Sequence, residues 1–278
     1  MNKLGKQNGF DDGKIAIYDV LSDIIYSLSN SKYKDMFAVK GAYALAAALI
    51  NQKLDPLVRS TIDIDMWFFN KGLWKEFINE CGEVLSNNSR LKLNYIMVEA
   101  KQTTDRWRSG YILLKAFSVS GDEFEVKIDM KIGVIPLENQ ITLPSFDVAF
   151  NAVSFENMLA DKLFNMTFWI IAKRPRDFYD VYTLAHLKNY RLNEIEIAWE
   201  SAKKYFNADK SIYSFNPDSF KELEQEITAL LEREQLPVSF RELYSRVWRF
   251  SFPIFEYLIY GKENKYWDVK GWCWLGMD

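Results

Sequence analysis

The apolar residues of this chain change their period near residue 150, so two different kinds of layer must follow one another. Before that point, runs at 61–69, 91–99, 111–119 and 123–133 read as strands, with helix patterns at about 15–29 (Ile15, Tyr18, Leu21, Ile25, Leu28) and 71–86. After it the helical period dominates, at 154–173, 176–188, 192–206, 217–234 and 239–260. Ser239 and Glu242 form a capping box before the last of these, and Pro217 suits a first helical position. The fold class is therefore α+β, with an α+β part at 1–150 and a helical part at 151–278. The stretch from Pro136 to Pro144, with a proline at each end, is read as the passage between them. With 278 residues and 49% hydrophobic content, the chain can bury a substantial core.

Within the first strand run, Asp63 and Asp65 stand two residues apart among Ile62, Ile64 and Met66. Residues at i and i+2 of a strand share a face, so the three apolar side chains are expected to face a core and both carboxylates a cleft. That spacing suits Mg²⁺ ions with all-oxygen shells; the plain alternative is a solvated strand edge. Upstream, an apolar stretch from Met36 runs through Lys40 into Gly41 and an alanine-rich helix pattern. Such a turn lets backbone N–H groups approach a phosphate at a helix N-terminus. Downstream, Phe124 to Ile132 alternates strictly. This sets Asp129 on a neighbouring strand with Glu125, Lys127 and Lys131 on its face, either as a third site carboxylate or as part of a surface ladder of opposite charges.

At these residues the chain resembles the nucleotidyltransferase superfamily of DNA-polymerase-β type, and within it the AbiEii/AbiGii toxin family of abortive-infection and toxin–antitoxin systems. Lys40-Gly41-Ala42-Tyr43 is similar to that family's glycine-turn motif, and Arg59-Ser60-Thr61-Ile62-Asp63-Ile64-Asp65 to its Arg-X-Ser/Thr-X-Asp-X-Asp signature. Glu156 to Leu163, which contains Lys162, and Lys173-Arg174-Pro175-Arg176-Asp177-Phe178-Tyr179-Asp180 resemble its later motifs. The chain departs from the pattern at Ala42 and Tyr43, where a second glycine and a small hydroxyl residue are usual, and in a longer interval between the turn and Asp63. The resemblance implies a nucleotidyltransferase fold at 1–150, a mixed sheet with flanking helices, and a helical domain at 151–278 contributing to the active-site cleft. It implies Asp63, Asp65 and Asp129 as metal ligands for Mg²⁺, with Mn²⁺ the alternative ion. It also implies Lys40, Gly41, Arg59, Thr61 and Lys162 on the nucleotide, and Asp177 as a supporting acid held by Arg174 and Arg176, with Asp180 assisting or packing. The expected reaction moves NMP from an NTP to an acceptor, an RNA or tRNA end, in a toxin checked by a cognate antitoxin. Transfer to a protein or small molecule, and a non-catalytic scaffold that binds a nucleotide or a partner, are the alternatives.

Charge and composition narrow the rest. A net charge of −3 argues against broad capture of duplex DNA, leaving local basic clusters at Lys101, Arg106, Arg108 and Lys115 and at Lys173, Arg174 and Arg176 as places for an RNA to bind. Cys81 and Cys273 are read as reduced thiols. His186 is the only histidine and is expected to pack rather than to act as a base. No run is long enough to span a membrane, and Met1 to Asn8 lacks a signal-peptide core, so a cytoplasmic protein is expected. Near the C-terminus, Leu243, Val247, Phe250 and Ile254 keep helical spacing and are expected in a core. The interleaved aromatics and arginines there could otherwise stack on RNA bases. The stretch from Tyr266 to Leu275 is too apolar to hang free and is expected to dock on the body or on a partner.

Overall fold

The computed structural model describes residues 12–102, 109–133, 140–144, 148–168, 174–206, 224–261 and 263–276. Arg106, Arg108, Pro136, Lys173 and Pro217, named above, lie outside them, as do the end of the expected helix 154–173 and the start of that at 217–234. The described residues fall into two compact units. One comprises those up to Asp55 together with Ser60–Val153; the other comprises Pro56–Arg59 and those from Ser154 onward.

The first unit holds helices α1 (Asp12–Ser29), α2 (Gly41–Asn51) and α3 (Trp74–Asn88) and strands β1 (Phe37–Lys40), β2 (Asp63–Phe68), β3 (Asn94–Gln102), β4 (Ser109–Phe117), β5 (Glu123–Ile132), β6 (Gln140–Pro144) and β7 (Ala149–Val153). The strands make one sheet in the order β3-β4-β5-β2-β1-β7-β6. It is mixed: β2 with β5 and β1 with β7 run parallel, and the other neighbours antiparallel. Parallel neighbours cannot be joined by a tight hairpin. Accordingly α3, β3 and β4 intervene between β2 and β5. Alternation places Ile112, Leu114 and Ala116 of β4 and Val126, Ile128, Met130 and Ile132 of β5 in the core. The first nine residues of α2 are all buried, as expected of a helix apolar on every side. Ile62 departs from its expected core position: it precedes β2 and is 67% exposed, because the strand begins only at Asp63.

The Pro136–Pro144 stretch also departs from expectation, since its last five residues form β6, an edge strand paired with β7. An edge position tolerates the missing N–H of Pro144. One buried carboxylate ties the unit together. Asp23 of α1 accepts hydrogen bonds from Ser89 Oγ (2.6 Å), the Leu91 N–H (2.9 Å) and Tyr95 Oη (2.8 Å), fixing α1 to the connection from α3 into β3. Burial, with the neighbouring Asp23 charge, pushes the Tyr95 phenol well above its ordinary value.

The second unit contains α4 (Phe155–Phe168), α5 (Pro175–Leu187), α6 (Leu192–Phe206), α7 (Glu224–Arg233), α8 (Phe240–Tyr260) and a hairpin of β8 (Lys265–Asp268) and β9 (Cys273–Gly276). Helix α4 packs on α5 and α6, and α8 packs on α5, α6 and α7. Ser239 caps α8, its Oγ accepting from the Glu242 N–H, and Gly261 closes the helix at φ +61°. Leu243, Val247, Phe250 and Ile254 are buried, whereas Phe252 and Tyr260 are exposed. The apolar C-terminal stretch docks on its own unit. Trp267 is completely buried, donates its indole N–H to Ala185 O (2.9 Å), and meets Phe250 edge-on at 4.9 Å between centroids.

Candidate active site

Strand β2 presents Ile64 and Met66 to the core and leaves Asp63 and Asp65 half-buried on its other face, as a period of two requires. Register then decides which side chains join them. Asp65 lies opposite Asp129 across the parallel β2/β5 pair, and opposite Lys40 across the antiparallel β1/β2 pair. Opposed residues share a face, so Lys40, Asp65 and Asp129 form one row across three strands, with Asp63 one step along. Thr61, buried, donates its hydroxyl to Asp63 Oδ1 at 2.6 Å and so orients that carboxylate.

Gly41 opens α2 directly beneath this row. Its φ of +68° is a conformation side chains rarely adopt, and a Cβ added there would fall on Asp65 Oδ2, well inside van der Waals contact. Gly41 is therefore needed both for the turn and for the close approach of Asp65 to the helix N-terminus. Tyr43, two residues on, is used elsewhere: it is buried, donates to Ser22 Oγ (3.0 Å) and stacks with Tyr18. Its departure from the glycine-turn pattern is absorbed by the core of the sheet unit.

Asp63 and Asp65 supply the hard oxygen donors that Mg²⁺ takes, and that ion commonly uses only one or two carboxylates with waters and substrate phosphates completing its shell. The pair fits such an ion. Asp129 is engaged by its own strand, where Lys127 Nζ lies 2.8 Å from its Oδ1 and sits over the Tyr111 ring. Among the described residues, no three or more His, Cys, Asp or Glu side chains are gathered as a ready-made metal cluster.

The remaining charged candidates come together in the helical unit. Lys162 of α4 places its ammonium 2.6 Å from Asp177 Oδ1 and 2.7 Å from Asp180 Oδ2, both on α5. Arg59 grips Asp180 with both prongs, Nε to Oδ1 at 2.7 Å and Nη2 to Oδ2 at 2.9 Å, the planar fork that guanidinium offers a carboxylate. Asn165 donates to Asp177 Oδ2 (3.2 Å), and Arg174 lies 2.8 Å from the same oxygen. Arg176 is exposed and pairs with neither aspartate, so the expected two-arginine clamp on Asp177 is made instead by Arg174 and Lys162. Asp180 is the centre of the cluster, almost wholly enclosed. Burial alone would raise its pKa, but the Arg59 and Lys162 charges outweigh this and hold it below the usual carboxylate range. Burial likewise acts to discharge Lys162, and the two aspartates overcome it, so its pKa lies above the ordinary lysine value. Asn165, one turn after Lys162, was not singled out by the sequence; helical spacing was its only signal. The Arg59–Asp180 pair spans 121 positions and leaves no local trace.

The family model described as nucleotidyl transferase AbiEii toxin, type IV toxin–antitoxin system, matches residues 23–247. The chain belongs to that family. Membership makes it a nucleotidyltransferase of a toxin–antitoxin system, and implies an NTP substrate and a cognate antitoxin. Two solved structures share the AbiEii chain's fold. JHP933 from Helicobacter pylori superposes with a TM-score of 0.57 at 16% identity, covering 89% of this chain and 94% of its own. A candidate nucleotidyltransferase from H. pylori superposes with a TM-score of 0.55 at 14% identity, covering 91% and 100%. A comparison with curated protein sequences returns no significant match. No helix among the described residues is long and apolar enough to cross a membrane.

Proposed function

We propose that this AbiEii-family chain transfers a nucleoside monophosphate from an NTP to an RNA acceptor, a tRNA end being the expected class, and that its antitoxin counters this transfer. The observation that carries the reading is the register setting Lys40, Asp65 and Asp129 in one row over the Gly41 turn, with Asp63 beside it. Asp63 and Asp65 are the residues to hold Mg²⁺ or Mn²⁺. When bound, such an ion neutralises charge on the triphosphate and on the leaving pyrophosphate. Backbone N–H groups at the start of α2 and the Lys40 ammonium offer donors for phosphate oxygens. The acceptor hydroxyl oxygen bonds to the α-phosphorus as the bond to the bridging oxygen breaks. Pyrophosphate leaves, and the hydroxyl proton passes to Asp129 once Lys127 releases it.

From the helical unit we propose Lys162 and Asp177 as functional residues, with Arg59, Asp180 and Arg174 holding them. Burial acts to discharge Lys162 and the Asp177 and Asp180 charges keep it protonated, the state in which a lysine stabilises anionic oxygens.

The test incubates purified protein with Mg²⁺, each α-labelled NTP in turn and total cellular RNA, beside Asp65→Ala. Label on RNA that the variant fails to transfer supports the reading and identifies the base. Label on protein redirects it to a protein acceptor. The Lys127–Asp129 ion pair favours a second reading, nucleotide binding without turnover; calorimetric NTP binding with no product under any acceptor condition would establish it.

A further inference from the structure

A second constellation lies in the helical unit, around the turn of the C-terminal hairpin. A pocket of about 570 Å³ is lined there by His186 of α5, Glu242, Ser245, Arg246 and Arg249 of α8, and Val269, Lys270 and Trp272 of the hairpin. Three of these are cations and one is a carboxylate, in a chain whose net charge is −3. The carboxylate is already spent, since Glu242 Oε1 lies 2.9 Å from Arg246 Nη2. Arg249 and Lys270 are exposed, and among the described residues neither side chain makes a hydrogen bond or an ion pair. Two unneutralised cations beside one pocket suit an anion.

The aromatic wall narrows which anion. Trp272 has φ +50°, a backbone conformation uncommon for a bulky non-glycine residue. His186 (4.3 Å between centroids), Trp267 (5.1 Å) and the Arg246 guanidinium (5.1 Å from the ring centroid) hold it here. Its indole N–H is buried without an acceptor, whereas the Trp267 and Trp274 indoles donate to Ala185 O and Phe250 O. His186 Nδ1 is 2.8 Å from Tyr182 O, which can only accept, so Nδ1 carries the proton and Nε2 remains an acceptor. A planar aromatic wall with one unused acceptor, His186 Nε2, matches the chemistry of bases and ribose hydroxyls, and guanidinium and ammonium groups match that of phosphodiesters. An acidic peptide would satisfy the cations alone.

We propose that this pocket binds single-stranded RNA, with Arg249 and Lys270 on backbone phosphates and the Trp272–His186 wall against a nucleotide. The assignment rests on the RNA-acceptor reading above and gives that acceptor a docking place remote in sequence from the Asp63–Asp65 strand.

The test measures fluorescence anisotropy of a labelled single-stranded RNA oligonucleotide on the full chain between low and moderate salt. Arg249→Ala/Lys270→Ala is compared with wild type, with poly-L-glutamate as competitor. Both substituted residues are exposed, so folding is expected to survive, and circular dichroism checks it. Loss of two phosphate contacts should weaken binding at least tenfold and reduce the log–log salt slope by about 1.4. Trp272→Leu should weaken binding while leaving the slope unchanged. Equal affinity and slope in the double variant overturn the pocket assignment even if label is transferred to RNA. Pocket-dependent binding with no labelling sustains the pocket and overturns the transfer reading. Displacement of the labelled RNA by poly-L-glutamate at lower charge equivalents than by unlabelled RNA overturns the RNA assignment in favour of an acidic protein.

Discussion

At Gly41, backbone and side-chain constraints coincide. A left-handed φ costs a non-glycine residue about 1–3 kcal/mol, and the added Cβ must also displace Asp65. Gly41→Ala should therefore lower the denaturation midpoint and reduce labelling at least tenfold, while Ala42→Gly, at a buried helical position, changes stability by about 1 kcal/mol and spares activity. Labelling unchanged in Gly41→Ala would detach the turn from the chemistry. Asp180 supplies a second test. Asp180→Ala leaves Arg59 and Lys162 enclosed without their shared partner, a loss of about 3–5 kcal/mol. Because its folded pKa is depressed, the stability Asp180 contributes is present above about pH 4 and disappears as pH falls through the lower folded value. Lys162 is shifted upward, so its contribution is intact below the ordinary value of 10.5 and is lost only as pH rises through the higher folded value. Thermal melts of Asp180→Asn should be lower across neutral pH and fall less steeply on the acid side. An unchanged acid limb would assign the acid sensitivity to other carboxylates.

Among elements, the hairpin β8–β9 bears most directly on the helical core. Trp267 is fully buried, its backbone N–H donates to Tyr190 O (2.7 Å) and its indole to Ala185 O. Trp267→Ala should cost about 3–5 kcal/mol, several times the roughly 1 kcal/mol expected for removing the α8 cap with Ser239→Ala. Urea midpoints decide this, and equal effects would mean the hairpin is only loosely attached. The sequence made this hairpin legible as something that must dock, because Tyr266 to Leu275 is too apolar for a free tail. It could not say that Ala185 and Phe250 are the receivers, since those contacts depend on how α5 and α8 pack. Strands β4 and β5 were legible because nine- and ten-residue runs display their alternation. Strand β7 was not, because five residues containing two alanines and an asparagine carry little period-two signal, and β6 ends in a proline that reads as a linker.

For the molecule as a whole, the change of period near residue 150 located the shift from sheet to helices. The pattern gave no sign that Pro56–Arg59 is grouped with the helices while the residues on both sides belong to the sheet unit. The reason is physical. Arg59 is committed to the helical unit by a bidentate ion pair with a residue 121 positions away, and no local propensity encodes such a contact. The carboxylates of β2 were legible because their spacing is local, whereas the pairing of Asp129 with Lys127 depends on rotamers that spacing leaves open. Each unit also has its own buried keystone, and these can be perturbed separately. Asp23→Leu removes the acceptor of three hydrogen bonds and strands the Tyr95 hydroxyl and the Leu91 N–H, at a cost of about 2–6 kcal/mol if each orphaned group costs about 1–3. Trp267→Ala opens a cavity among α5, α8 and the hairpin. Backbone hydrogen exchange under native conditions reads opening region by region. Asp23→Leu should speed exchange first in α1, α3 and β3, and Trp267→Ala first in α5 and α8. A uniform acceleration across both sets of elements by either variant would show that the two units open as one cooperative body, and would require the stability of the sheet and of the helices to be treated as a single quantity.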